Sequence, residues 1–306
     1  MNGFFNILKP TGMSSAAVVA VMRRLTGEKR TGHAGTLDPE AAGVLPIMVG
    51  KATRLFDYLV DKEKEYEAVC AFGSRTDTQD ASGTVLETGD RYPDLELIRE
   101  KASELTGEIR QTPSMFSAIK IGGTPLYTRA RRGETVEVPE RIVTVNSIEV
   151  KGIEPEHGVA LRVCCGKGTY IRTLCDDLGK KCGCPAHMRS LVRTRSGVFT
   201  MDTGLTLDEA RELASSGNLA ARMLPPDYPI RHLRAVEIPG KFARQVASGA
   251  KIPAEIISGD LPEETEYLRV YLNGVFWGIM HRSADSLVWN VQISPEPVRE
   301  KTAAGD

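Results

Sequence analysis

GHAGTLDPEAAGVL, Gly32 to Leu45, sets three glycines (Gly32, Gly35, Gly43) and a proline around one acid, Asp38. Glycine admits backbone conformations closed to other residues, and Pro39 disfavours a helical Asp38. The segment is therefore an irregular, largely apolar loop that runs into a buried strand at Gly43 to Val49. A carboxylate in such a loop can attack or deprotonate a bound substrate, and it can equally cap a turn or helix through its side chain. These residues by themselves leave both roles open.

Upstream, Phe4 to Leu8 reads as a short apolar strand ended by Lys9-Pro10-Thr11-Gly12. Ser14 then caps a helix with Val18, Val19, Val21, Met22 and Leu25 at helical spacing. Downstream, Lys51 to Leu59 reads as a helix, Lys64 to Phe72 as an alternating strand and Leu95 to Leu105 as an amphipathic helix. Ile142 to Val150 and Val159 to Cys165 read as an antiparallel strand pair. Helix and strand mix without a βαβ repeat. The expected fold class is α/β in the α+β sense, a mixed, largely antiparallel sheet flanked by helices and loops, filling residues 1–230.

Within that domain, Thr112 to Glu140 lacks sustained periodicity and carries Lys120, Arg129, Arg131 and Arg132 among glycines and prolines. It reads as a long basic loop, an uncommon feature of a compact domain unless functional. The stretch Leu207 to Met223 reads as helical, and Leu224-Pro225-Pro226-Asp227-Tyr228-Pro229 cannot continue it, which marks a domain boundary. Residues 231–295 then suit a small β-rich module, with a helix near Lys241 to Ser248 and strands at Tyr267–Leu272, Val275–His281 and Ser286–Gln292. Residues 296–306 are expected to be a disordered tail.

No run of about 18 to 20 apolar residues is present, and Met1 to Lys9 lacks a signal-peptide plan, so the expected location is cytoplasmic, without a membrane. The six cysteines form no CxxC pair. Cys182-Gly183-Cys184 with His187 lacks paired zinc knuckles, so the thiols are expected reduced and no metal site is expected. The net charge of −1 hides an uneven distribution. Eight basic residues (Arg162, Lys167, Arg172, Lys180, Lys181, Arg189, Arg193, Arg195) stand against Asp176 and Asp177 between Leu161 and Arg195, a density that suits phosphates or a solvated face.

Four motifs in order, KPTGMSS (Lys9 to Ser15), GHAGTLDPEAAGVL, RTDTQD (Arg75 to Asp80) and GKGTYIRTL (Gly166 to Leu174), resemble the TruB family of tRNA pseudouridine-55 synthases. The resemblance extends over essentially the whole chain, including a C-terminal module similar to the PUA-like RNA-binding domain, and implies a pseudouridine synthase fold. Ala42 departs from the family pattern, where many relatives carry Thr.

The resemblance implies that Asp38 is the catalytic carboxylate and that Arg172 is the cation that keeps it ionised. It implies that Tyr66 stacks on the target base and helps exchange its C5 proton, and that Tyr170 and Leu191 line the uridine pocket. His33 is implied against the T loop at the flipped nucleotide, Asp80 in the neighbourhood of the site, and Lys9 and Pro10 as supports of its loop. Thr112 to Glu140 corresponds to the family's thumb-like insertion, which orders on RNA. Unaided, each residue also has a plainer reading: a core aromatic for Tyr66, a core leucine for Leu191, a phosphate contact for Arg172, an Asx-turn for Asp80 and a structural imidazole for His33.

The implied activity is isomerisation of uridine 55 in the tRNA T loop. The glycosidic bond is cut, the uracil turns over, and it rejoins through C5. That chemistry calls for no cofactor. The implied partner is the T stem-loop of tRNA, without guide RNA, and a monomer is expected because no heptad or exposed apolar helix face appears. The rivals are a non-catalytic RNA-binding or tRNA-folding module, which would not need Asp38, and a guide-dependent pseudouridylase, which would carry a larger C-terminal module. A glycosidase would need two flanking carboxylates.

Overall fold

The computed structural model describes residues 1–60, 62–117, 119–130, 132–134, 136–257 and 262–293. Its N-terminal strand, Gly3–Lys9, pairs antiparallel with Ala42–Val49 from Gly3↔Val49 to Lys9↔Gly43. Both strands are buried along nearly their whole length, because side chains of alternating direction enter two different cores. Phe5, Ile7, Leu45 and Ile47 point into one that also takes Val18 and Met22 of helix Ser15–Thr26 and Leu174 and Leu178 of helix Ile171–Cys182. Phe4, Val44 and Met48 point into the other, which is completed by Leu55, Phe199, Ile230, Ile279 and Ile293.

The ten-stranded sheet continues from Ala42–Val49 through Ala186–Ser196, Lys64–Phe72, Gly158–Cys165 and Arg141–Glu154 to Gly107–Gln111. Most pairings are antiparallel. The exceptions are Ala42–Val49 with Ala186–Ser196 and Gly3–Lys9 with Leu205–Thr206, which are parallel. A second, five-stranded sheet contains Tyr267–Leu272, Val275–Ser283 and Ser286–Gln292, with Arg234–Glu237 and Ile252–Pro253 at its edges. It leans on the first through the shared core and through Tyr58 against Tyr267, whose rings meet edge to face.

Several local expectations hold. Ser14 caps its helix by accepting from Ala17 N, and Gly27 ends it in the left-handed region. Three need correction. Lys51 to Leu59 is a 3₁₀ helix at Gly50–Leu55 followed by the single turn Asp57–Val60, and the leading N–H groups, orphaned at any helix start, are satisfied by Arg30 O and Asn2 Oδ1. The helix Leu207–Ser215 starts in a Thr206/Glu209 capping box and stops before Gly217, whose positive φ breaks it from the 3₁₀ turn Leu219–Arg222.

The third is Thr112 to Glu140, which is not structureless. Gly122 and Gly123, both at positive φ, make a two-residue turn joining Lys120–Ile121 to Thr124–Pro125, and helix Leu126–Ala130 follows with Leu126 fully buried. Arg129 donates to Ile121 O, 3.1 Å away, and locks the hairpin to the helix. Residues 296–306 lie outside the described residues.

Candidate active site

The loop carrying Asp38 is pinned on both sides by buried polar groups. Before it, Ser15 Oγ donates to Leu37 O at 2.8 Å and accepts from Leu37 N at 2.9 Å. After it, the Lys9 ammonium donates to Pro39 O, and also to Pro10 O and Met13 O, tying the first turn of the chain to the loop. Burial brings the Lys9 ammonium down to about 8, with Glu40 and then Asp38 pulling the other way. Lys9 is thus turned into backbone carbonyls and away from the cleft wall.

Arg172 sits in the first turn of helix Ile171–Cys182, 5 % exposed, and its guanidinium is a junction. Nε lies 2.9 Å from Asp38 Oδ2 and Nη1 3.6 Å from Asp80 Oδ2. Nη1 also donates to Thr78 O at 3.0 Å and Nη2 to Phe116 O at 3.1 Å. The arginine therefore joins the acid of the first loop, the RTDTQD turn and the base of the 112–140 insertion. Asp80 makes two kinds of contact. Oδ1 accepts from Ser82 N in an Asx-turn while Oδ2 faces Arg172.

Around Asp38 opens a cleft of about 280 Å³. Its walls are Gly35 to Asp38, then Lys64 and Tyr66 of one strand, Gly166 to Arg172, and Leu191 and Arg193 of another. The volume lies near the lower end of the roughly 300–1,000 Å³ of drug-sized sites, which suits one nucleoside. Tyr66 and Tyr170 present phenols held neutral, since burial is the main influence pushing both upward. Tyr170 is set in place by Gln111, which accepts from its N–H and donates to its carbonyl. Asp38, Arg172, Tyr66, Tyr170 and Leu191 are thus brought together. His33 and Asp80 stand outside the cleft wall. His33 lies in the short strand Thr31–His33 opposite Ile47, with Nδ1 buried and unbonded. Burial, then Arg193, lowers its proton affinity.

The basic stretch Leu161 to Arg195 is not the open phosphate channel that its density suggests. Arg172 and Arg193 are buried. Lys180 pairs with Asp176 and Asp177, Lys181 with Glu104, Arg195 with Glu63 and Arg162 with Glu67.

Residues 23–171 match the family model described as TruB family pseudouridylate synthase (N terminal domain). Residues 172–231 match the one described as tRNA pseudouridylate synthase B C-terminal domain. The tRNA pseudouridine synthase B of Alkaliphilus oremlandii is 42 % identical over 279 residues, covering 91 % of this chain and 92 % of that protein. The chain belongs to the TruB family. A second relative of the same name, from Bacillus licheniformis, is 42 % identical over 255 residues, covering 81 % of this chain and 82 % of that protein. Among solved structures, a Cbf5-Nop10-Gar1 complex contains a chain similar at a TM-score of 0.72 and 27 % identity, covering 95 % of this chain and 84 % of that one. An H/ACA RNP bound to a substrate RNA contains another, at 0.71 and 25 %, covering 96 % and 85 %.

Sequence reasoning missed one residue in this TruB-family cleft, Arg193. Counted there among the surface cations, it is instead 1 % exposed, donating from Nε to Val44 O, from Nη1 to Thr36 O and from Nη2 to Gly35 O. The available signal was its two-residue spacing from Leu191 in a strand, which puts both side chains on one face.

Proposed function

We propose that this TruB-family chain converts uridine 55 in the T loop of tRNA to pseudouridine, with Asp38 as the carboxylate that acts at C1′. The observation that carries the reading is the Asp38–Arg172 pair at the floor of a nucleoside-sized cleft, with the cation buried and the carboxylate open. The buried guanidinium balances the charge of the Asp38 carboxylate from behind, and its open face meets the ribose carbon that loses electron density as the C1′–N1 bond breaks. Tyr66, Tyr170 and Leu191 hold the base between them while it turns to offer C5. The isomerisation leaves no net redox change and adds no water, so the residues of the cleft are sufficient for it.

In this reading Asp80 orients Arg172, Lys9 braces the Asp38 loop, and His33 stands beside the extruded nucleotide from outside the cleft. Base extrusion costs a few kcal/mol, which contacts of this kind partly recover. The insertion at 112–140 and the five-stranded module at 231–295 would carry the T stem-loop. A guide-free monomer in the cytoplasm is the accompanying reading. Its guide-free part is supported by the 42 % identity to proteins named tRNA pseudouridine synthase B, against 27 % to a chain of the Cbf5-Nop10-Gar1 complex.

The test uses purified protein and an unmodified tRNA transcript without guide RNA, scoring pseudouridine at position 55. Wild type is expected to convert it, while Asp38→Asn binds the transcript with similar affinity and falls by more than about 10³-fold in rate. Binding without conversion by wild type would leave an RNA-binding module in place of an enzyme.

A further inference from the structure

Breaking the C1′–N1 bond leaves its electron pair on N1, so the uracil ring becomes an anion before C5 attacks C1′, C5 gives up its proton and N1 gains one. Asp38 is itself negative and works on the sugar, so it cannot hold that charge. Arg172, the nearest cation to it, is committed to Asp38, Asp80 and two backbone carbonyls.

Arg193 is placed differently. It lines the same cleft beside Tyr66 and Leu191 and is almost fully buried, yet no described carboxylate comes within 4.0 Å of its guanidinium. Its backbone partners are three neutral carbonyls, one per nitrogen, at Val44 O (2.7 Å), Thr36 O (3.4 Å) and Gly35 O (3.2 Å), and the Tyr66 phenol is its neutral side-chain neighbour. A guanidinium has five N–H groups, so one is still left over after the three carbonyls and the Tyr66 phenol. A buried cation without a counterion is costly to maintain, and a fixed charge in a low-dielectric cleft acts strongly on any anion formed there. Of the cleft's other cations, Lys64 turns its ammonium to Lys62 O, and Lys167 is exposed at the rim.

Resting on the pseudouridine reading above, we propose that Arg193 is a catalytic residue that stabilises the negative charge collecting on the uracil ring as the C1′–N1 bond breaks. It transfers no proton. Its three carbonyl bonds fix the guanidinium beforehand, so no reorganisation is needed as the charge develops.

The experiment compares single-turnover rates on two transcripts, one with uridine and one with 5-fluorouridine at position 55, following loss of the starting nucleoside. Fluorine makes the departing base more acidic and less dependent on outside stabilisation. Arg193→Met is expected to slow uridine cleavage by about 10²- to 10³-fold at unchanged transcript affinity. The deficit on 5-fluorouridine is expected to be at least about tenfold smaller, and Arg193→Lys, which keeps the charge, is expected to stay well above Arg193→Met. Equal deficits on both bases would overturn the proposal and leave Arg193 as a brace for the Gly35–Thr36 backbone. Should Arg193→Met fail to fold, the same two rates in Arg193→Gln, which removes the charge but keeps hydrogen-bonding capacity towards the carbonyls, decide by the same criterion. Wild type inactive on both transcripts would remove the pseudouridine reading and this role with it.

Discussion

Arg172 Nε and Asp38 Oδ2 lie 2.9 Å apart, but the two side chains are 5 % and 38 % exposed. The cation is held by its surroundings and the anion is not. Thr78 O, Phe116 O and Asp80 fix the guanidinium, so the carboxylate keeps an open face for a ligand while its charge is balanced from behind. A planar fork can serve all of these partners together; an ammonium cannot.

Arg172→Lys is therefore expected to lower the conversion rate by about 10²- to 10³-fold with little change in transcript affinity. Arg172→Met should also cost about 3 kcal/mol in urea denaturation, because it strips a buried cation from two carboxylates. A Met variant as stable as wild type would show that the junction contributes nothing to the fold.

Gly43 should tolerate no side chain. It sits at φ +100° opposite Arg193 in the parallel pairing, and a Cβ there would overlap the Arg193 backbone nitrogen and oxygen. Gly43→Ala is expected to cost more than about 3 kcal/mol or to give insoluble protein, read by solubility and thermal denaturation.

Leu126 anchors the helix of the 112–140 insertion and is fully buried. Leu126→Ala should cost about 2–5 kcal/mol locally. Trypsin is then expected to cut at Arg129 and Arg132 sooner than in wild type, while the main unfolding transition moves less. Unchanged cleavage would mean that Leu126 does not hold the segment.

Cys165 offers a pH test. Burial pushes its thiol up to about 11, from 9.0 in the unfolded chain. Its folded pKa is the higher one, so its contribution is complete below about pH 9 and is lost as the pH rises towards 11. The stability difference between wild type and Cys165→Ala should be constant below pH 9 and shrink by about 2–3 kcal/mol across that window, measured by urea titration at each pH. A flat difference would contradict it.

How far the sequence could be read depended on the range of the interaction. The Ser14 cap, the strand Lys64–Phe72 and the hairpin strands around 142–165 follow from neighbours in the chain, and all three were legible. The 112–140 insertion was half legible. Its Gly122-Gly123 turn is a hairpin signal, but the burial of Leu126 beneath it is a tertiary event.

By itself the sequence determined the fold class, through apolar periodicities that dictate which faces are buried. It also determined the family and the candidate acid, through four motifs whose glycines and prolines force particular backbone shapes. Only the tertiary structure decided which charges meet. Arg172 reaches Asp38 and Arg193 reaches Val44 across more than a hundred residues, while Lys180, Lys181 and Arg195 are taken up by acids. An arginine carries the same charge wherever it stands. What distinguishes a solvated cation from a buried one is the set of carbonyls and carboxylates folded around it, and no local pattern specifies that set.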